Sequence, residues 1–488
     1  MLCEICGENH ASFIISMVVN SEIKEIRACA ECATRDMRTS DLIDGTSYAY
    51  RSSGETDREC PRCNFKYSRT EHSQLLLLGC PACYTEFREE LKPLLHRIHG
   101  STIHKGKAPK KRERADVEVP SRRSKFVPTS YLRVLPMSHP EAEWMQGVGP
   151  DSDVVISSRI RLARNLDGYT FCNLAKESEL QQIARTVESA AADIEFLKNA
   201  RVTDLENLDD VAREFLVERH LISRDLAEKR GTRKVIIGER EIISIMLNEE
   251  DHVRLQIINS GLQISQLWEI IDNIDNELGQ RLDYAFSSDW GYLTACPTNV
   301  GTGLRVSVML HIPALASTRA GNKILSSVSG MGYTIRGIYG EGSQATGAFY
   351  QISNEATLGQ PEEKIVDLMR SVARQIIEYE REERQRIIEK DRIGLEDKIF
   401  RSYGTLTNAR SISSREALNL LSWISLGINI GILSGLDETD IARLLVLTRP
   451  AHLQRLEGKK LNATARDISR ATVIRSVLVG NRSSRLNV

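Results

Sequence analysis

Eight of the ten cysteines fall in the first 83 residues, and all eight come as CxxC pairs. Cys3, Cys6, Cys29 and Cys32 form one quartet, with 22 residues between its two pairs. Cys60, Cys63, Cys80 and Cys83 form a second, with 16 residues between. A CxxC turn points two thiolates at one ion, and two such turns complete a tetrahedral shell at roughly 2.3 Å per Zn–S bond. Thioredoxin-like redox pairs are the competing reading, but two quartets in tandem make chance a poor explanation. Each four-sulfur shell is closed, so the expectation is two structural Zn2+ ions, with metal binding supplying much of the folding free energy of so small a segment. His10 and His72 lie near the quartets and read as bystanders. A disulfide framework needs an oxidising compartment, and the start Met1-Leu2-Cys3-Glu4 carries no signal-peptide pattern.

The rest of the 488 residues must be organised differently, because the remaining two cysteines, Cys172 and Cys296, stand alone. Hydrophobic residues make up 41% of the chain, enough for a sizeable core, and 65 basic residues nearly cancel 66 acidic ones. That balance exerts no overall pull towards nucleic acid or membrane. The longest apolar runs are far too short to span a bilayer, so a cytoplasmic location is expected. Residues 1–99 form the cysteine-paired module. Residues 100–136 concentrate Lys105, Lys107, Lys110, Lys111, Arg112, Arg114, Arg122, Arg123 and Lys125 and read as a solvated basic linker. Residues 137–391 have the texture of a mixed domain, with helical periodicity near Glu177–Asn199 and strand alternation in Val154–Leu162, Ile242–Leu247 and Leu304–Ile312. A long charged helix is expected from Glu362 to Asp391. Residues 392–488 read as helical, with apolar repeats at Leu418, Leu421 and Ile424.

Three segments put arginines on strands. In Val155–Leu162 a period of two sets Ser157, Arg159 and Arg161 on one face and Ile156, Ile160 and Leu162 on the other. Leu304–His311 repeats the design, with Arg305 and His311 opposite Leu304, Val306, Val308 and Leu310. Thr334–Gly342 places Arg336 before a glycine-flanked carboxylate, Glu341, as a loop closing over a ligand would. Arginines side by side on a half-buried strand are costly unless an anion meets them, and phosphate is the natural bidentate partner. A solvent-facing strand edge explains the first segment equally well, and an ordinary amphipathic strand explains each of the others alone. Asn248-Glu249-Glu250-Asp251-His252-Val253-Arg254 follows the apolar run Ile242–Leu247. Three consecutive acids at a strand end repel one another, and a cationic substrate would offset them. Phosphoryl transfer spreads charge over the equatorial oxygens, which arginines and Mg2+ stabilise. A guanidinium, with a pKa above about 12, becomes a nucleophile only when a carboxylate orients it and accepts its proton. Arginine strands and a carboxylate pair thus belong to one mechanism.

Ser157-Ser158-Arg159-Ile160-Arg161, Asn248-Glu249-Glu250-Asp251-His252 and Cys296-Pro297-Thr298-Asn299-Val300-Gly301-Thr302-Gly303 resemble the signatures of the phosphagen (guanidino) kinases. The similarity is greatest to the bacterial protein arginine kinases and runs from about Trp144 onward. Residues 1 to about 110, including His96-Arg97-Ile98-His99-Gly100, resemble the zinc-binding activator of those kinases, so the chain looks like a fusion of activator and kinase. The implied fold is α+β: an antiparallel sheet flanked by helices, a double zinc module before it and a helical domain after it. The resemblance implies that Arg159, Arg161, Arg254, Arg305 and Arg336 clamp the phosphates of ATP, bound with Mg2+. Ser157, Ser158, Ile160, His220, the segment Arg305, Val306, Ser307, Val308, Met309 and the segment Arg336, Gly337, Ile338, Tyr339, Gly340, Glu341 complete the nucleotide site. Glu250 is the expected catalytic base, Glu249 its neighbour, Glu341 the second carboxylate, and Cys296 sits by the guanidinium. Cys172 is read as a small buried hydrophobe.

Arg466-Asp467-Ile468-Ser469-Arg470-Ala471 puts Arg466 and Arg470 one helical turn apart. Spacing alone favours a surface ion-pair helix. The resemblance implies instead that Arg466, Asp467, Arg470 and Ala471 form an allosteric phosphoarginine pocket. It also implies substrate proteins with exposed arginines, a Clp ATPase or protease and a stress-response repressor as partners, and a homo-oligomer. Two alternatives stand beside this reading, a small-molecule (free arginine) kinase and a non-catalytic zinc-bearing adaptor. The small-molecule enzymes of the family carry a helical domain where this chain has zinc modules, and the dead adaptor is disfavoured by the full set of arginines and carboxylates.

Overall fold

A computed structural model describes residues 58–67, 77–110, 142–337 and 346–483, together with the backbone of three strands, β1 (Phe13–Val19), β2 (Glu22–Ala28) and β3 (Ala49–Ser52). Those three pair antiparallel in the order β2-β1-β3. The first cysteine quartet, Cys3, Cys6, Cys29 and Cys32, lies outside the described residues, as do 111–141 and 338–345.

The second cysteine module is built from the ribbon β4 (Arg58–Glu59) and β5 (Lys66–Tyr67), followed by helices Ala82–Glu86 and Arg88–His99. The second helix ends at Gly100, whose φ of 67° gives the left-handed cap that a helix C-terminus favours. The module's apolar cluster, with Phe65 and Tyr67 against Phe87, is not closed on itself. Phe87, Leu91 and Leu95 share one cluster with Phe171, Ala285, Trp290, Leu293, Ala295 and Val300 of the following domain.

That domain is organised on one eight-stranded sheet. Its strands are β6 (Val155–Arg164), β7 (Arg201–Asp204), β8 (Lys234–Ile237), β9 (Ile243–Leu247) and β10 (Val253–Ser260). After the small ribbon β11 (Phe286–Ser287) and β12 (Gly291–Tyr292) come β13 (Leu304–His311), β14 (Tyr333–Gly337) and β15 (Phe349–Asn354). The order is β14-β15-β13-β6-β10-β9-β8-β7, antiparallel throughout. One face is apolar: Ile160, Leu162, Leu255, Ile257, Val306 and Val308 bury against helices Glu177–Ala192, Ile264–Arg281 and the start of Glu362–Asn408. The period-two pattern therefore sends the arginines to the other face. The expected α+β architecture is the one observed.

Three features differ from the expectations. The linker does not begin at residue 100. Lys107, counted among its solvated charges, sends Nζ to Asp272 at 2.5 Å and to Asp275 at 2.8 Å. Its backbone N–H donates to the Glu362 carboxylate at 3.0 Å, and His104 N donates to Asp289 O at 2.7 Å. Residues 101–107 thus strap the second cysteine module to the sheet domain, where Asp275 also pairs with the fully buried Arg164 at 2.8 Å. Second, the long helix breaks at Asp391, its expected end, but no loop follows. It continues to Asn408 through a break at Asp391, with φ −151° and ψ 66°, where the Asp391 side chain accepts from Gly394 N and caps the restart. Third, His311 does not join Arg305 at the site. It is stacked on Phe349 at 4.6 Å and bonded through Nε2 to Ser422 at 2.8 Å, tying the sheet to helix Ser414–Asn429. Among the described residues no helix is long and apolar enough to cross a membrane.

Candidate active site

The register of the central strands gathers the arginines. Arg161 lies directly across from Arg305 on β13 and from Gln256 on β10, while Arg159 lies across from Ser307 and Ile258. Arg254 is two residues from Gln256 on the same face of β10, and Arg336 lies across from Gln351 on β15. Few partners offset this charge. Arg159 reaches Gln351 Oε1 at 2.9 Å, and the Nε atoms of Arg161 and Arg305 are buried with no partner. Burial, then Arg254 and Arg305, bring Arg159 down to about 10. Burial and the neighbouring arginines push Arg161 and Arg305 down as well. Such a cluster is stable only with an anion among it, and orphaned guanidinium N–H groups are what a polyphosphate would satisfy.

Four side chains of the expected nucleotide segments do not reach this face. Ile160, Val306 and Val308 lie in the core on the other side. Ser158 Oγ donates to Gly261 O at 2.7 Å and accepts from Gln263 N at 3.1 Å. Alternation along the strand is the reason. Ser157, Ser307 and Met309 do share the arginine face, and Gly337 ends β14. Ile338, Tyr339, Gly340 and Glu341 lie outside the described residues.

The acidic segment sits at the turn between β9 and β10, and its three carboxylates are treated differently. Glu249 pairs with Arg254 and accepts from Ser223 Oγ at 2.5 Å. Against the burial that would raise it, Arg254 and the Ser223 hydroxyl hold Glu249 down at about 2. Glu250 accepts from Asn299 Nδ2 at 2.8 Å, and burial, then Asp251 and Glu249, push it up to about 7. Asp251 is buried and accepts from Asn165 Nδ2 at 2.6 Å and from Ala295 N at 2.7 Å. Sequence reasoning missed Asp251, Asn165 and Asn299 as site residues; no motif logic separates a framing carboxylate from a reacting one.

The Cys296 loop faces these carboxylates. Cys296 is buried, its sulfur 3.0 Å from Thr298 Oγ1, and burial, then Glu250, push its thiol up. Gly301, at φ 108°, brings the loop so close to Thr357 that any Cβ would collide with the Thr357 carbonyl. The zinc module backs this loop directly. Leu78 N donates to Ala295 O at 2.8 Å, Tyr84 Oη to Thr294 O at 2.8 Å, and His99 Nε2 bonds Pro297 O at 2.9 Å. One peptide residue, Ala295, thus carries Asp251 on its N–H and the zinc module on its carbonyl.

The cysteines of that module fit a metal. Their sulfurs lie within 4.8 Å of one another, with Sγ–Sγ separations of 3.8, 3.5 and 3.9 Å for Cys60–Cys80, Cys63–Cys83 and Cys80–Cys83. A tetrahedron of roughly 2.3 Å Zn–S bonds has edges of about 3.8 Å. Gly79 leaves room for the cluster, since a Cβ there would lie 2.7 Å from Cys63 Sγ.

At the other end of the chain the Arg466–Ala471 motif is divided. Arg470 is buried, with Nε on Thr448 O and Nη1 on Ile412 O, both at 2.8 Å, and Asp467 beside it at 2.5 Å. Ala471 packs in the helical core. Arg466 instead lines a cleft of about 470 Å³ with Asp210, Glu214, Lys460 and Asn462.

Known proteins share these features. The ATP:guanido phosphotransferase C-terminal catalytic domain matches residues 182–383, the protein-arginine kinase McsB C-terminal domain matches 392–486, and the McsA central zinc-finger domain matches 58–106. A protein-arginine kinase of Desulforamulus reducens is 44% identical over 345 residues, 70% of this chain and 97% of that protein. One from Halothermothrix orenii is 48% identical over 337 residues, 69% of this chain and 96% of that protein. Among solved structures, the duplicated taurocyamine kinase of Schistosoma mansoni with bound transition-state-analog components aligns with a TM-score of 0.51 at 23% identity, over 62% of this chain and 40% of that one. Lombricine kinase aligns with a TM-score of 0.50 at 22% identity, over 62% of this chain and 80% of its own. These two share the fold.

Proposed function

The chain belongs to the protein-arginine kinase family, and from that premise we propose how its residues divide the work of moving the γ-phosphoryl group of ATP onto arginine side chains of proteins. Arg159, Arg161, Arg254, Arg305 and Arg336 hold the phosphates, with Ser157, Ser307 and His220 completing the nucleotide site. Mg2+ arrives with ATP and adds its charge to theirs. Glu250 takes a proton from the acceptor guanidinium. The freed Nη attacks the γ-phosphorus, the bond to the β-phosphate oxygen breaks, and ADP leaves. Glu249 stays an anion and positions Arg254. Glu341 is the second carboxylate and Cys296 lies beside the guanidinium.

The observation that carries this assignment is the contrast between the neighbouring glutamates: Glu250 is held at about 7 and Glu249 at about 2. A base poised near the working pH transfers protons best. Since the Glu250 carboxyl is raised, it is protonated and idle below about 7. The expected kcat/KM for a protein acceptor therefore rises about tenfold per pH unit up to that point and levels above it. A profile flat from pH 5.5 to 7.5 would remove Glu250 from the role.

Around this centre we assign two structural zinc ions, one per quartet, with the module of residues 1–99 acting on the kinase of its own chain through the Cys296 loop. Residues 108–136 join it to the catalytic domain 137–391, and 392–488 form the helical domain. In that last domain Arg466 and Asp467 recognise phosphoarginine, while Arg470 and Ala471 hold the helix that presents them. By family association, phosphoarginine marks cytoplasmic proteins for a Clp-type protease and a stress-response repressor is among the substrates. A homo-oligomer is the assigned assembly.

A further inference from the structure

Helix Arg88–His99 belongs to the second cysteine module, but its last side chain is spent on the sheet domain. His99 is 8% exposed, and both of its ring nitrogens are used there. Thr357 N donates to Nδ1 at 3.2 Å, and Nε2 lies 2.9 Å from Pro297 O. A backbone N–H can only donate, so Nδ1 carries the lone pair. The proton is therefore on Nε2 and points at the Pro297 carbonyl. Burial, against the pull of that carbonyl, holds the imidazole below its ordinary range and keeps it neutral.

The two partners of His99 belong to one small assembly. Pro297 opens the turn Pro297–Asn299, in which Asn299 N donates to Cys296 O at 3.0 Å. The loop then wraps around Thr357, whose Oγ1 donates to Val300 O at 2.7 Å and whose carbonyl accepts from Thr302 N at 2.8 Å. His99 joins the start of the turn to the residue it wraps. Leu78 and Tyr84 hold the residues before the turn, Ala295 and Thr294. The turn delivers Asn299 to the acidic segment, where its Nδ2 donates to Glu250 at 2.8 Å. That N–H favours the charged carboxylate. The charges facing Glu250 are Asp251 and Glu249 on its own turn, Arg254 on β10 and Lys229 after helix Arg224–Glu228, with the Cys296 thiol on the loop. A substitution at His99 alters none of these groups.

We propose that His99 is a positioning residue for the proton transfer: by donating to Pro297 it fixes the turn that holds Asn299 against the Glu250 carboxylate. The proposal rests on the reading that Glu250 is the base. It narrows the support given by the module to one N–H on one carbonyl.

Two substitutions separate the two bonds of the ring. His99→Gln puts an amide N–H where Nε2 stands and can still donate to Pro297 O. His99→Asn puts an amide oxygen where Nδ1 stands, so it keeps the Thr357 bond and loses the one to Pro297. The full chain is assayed across pH on an unfolded protein with Mg-ATP, and zinc content and ATP binding are measured alongside. His99→Asn is expected to lower kcat about tenfold, the size of one buried hydrogen bond. Its pH step is expected to move above the wild-type position, because Glu250 loses an N–H that favours its charged form. His99→Gln is expected to keep the wild-type rate and step, and both variants to keep zinc and ATP binding. Equal loss of rate in the two variants would overturn the proposal, and so would a wild-type step in His99→Asn. Asn299→Ala leaves the module untouched and is expected to raise the step in the same way. An unmoved step there would overturn the proposal even if neither His99 variant folds. A wild type without any step would overturn the base and the proposal with it.

Discussion

Glu250→Gln is expected to lower phosphoarginine formation by about 10²- to 10⁴-fold, the span a positioned general base contributes. The substitution is nearly isosteric, and its amide oxygen can still accept from Asn299 Nδ2, which now bonds the Glu250 carboxylate at 2.8 Å. The loop geometry should therefore survive. ATP affinity should change little, because the clamp arginines lie on the strands and Arg254 takes its counter-charge from Glu249. Glu249→Gln should behave in the opposite way. It releases Arg254 and the Ser223 hydroxyl, so ATP affinity changes, and it removes one of the charges that raise Glu250, so the step in the pH profile moves below 7 while turnover above the step is kept. Initial rates across pH, together with ATP binding for both variants, check this pair. Full turnover in Glu250→Gln would move the base elsewhere.

The second large effect concerns the metal. Structural zinc carries roughly 10–16 kcal/mol of apparent binding free energy in small modules at neutral pH, and this module is small and shares its core with the sheet domain. Cys80→Ser breaks the quartet at a buried ligand. The expected result is loss of the zinc held by Cys60, Cys63 and Cys83, and release of the hydrogen bonds from Leu78, Tyr84 and His99 to residues 294–297. The Cys296 loop then loses its backing. Displacements of about 1 Å in a site can cost about 10²-fold, so turnover on protein should fall by about that factor. It should not vanish, since Glu250 and the arginines sit on other elements. ATP affinity should hold. Metal content, turnover and ATP binding of the variant check this, and unchanged turnover after zinc loss would show that the module does not support the site.

How much of this was legible in the sequence depends on which force placed each residue. The arginine strands were legible because period-two alternation is a local property: Arg159, Arg161 and Arg305 must share a face if their strands are extended. The same rule, applied strictly, excludes Ile160, Val306 and Val308 from the site, though they belong to the family segments. The cysteine quartet Cys60–Cys83 was legible because chelation dictates spacing. What was not legible came from contacts across long separations. Lys107 reads as a linker charge until the fold brings it to Asp272 and Asp275. Glu249 and Glu250 are interchangeable in a string of acids, and Arg254 and Ser223 decide between them. The break at Asp391 was legible as a helix end, but nothing local shows that a second helix resumes directly after it.

The acceptor remains the centre of the account, and one experiment addresses it. The full chain is incubated with Mg-ATP and an unfolded model protein, and separately with free arginine, and acid-labile phosphate is followed by mass spectrometry. Phosphoarginine on the protein, with little or none on the free amino acid, is the predicted result. Phosphorylation of free arginine with the protein left unmodified would contradict it.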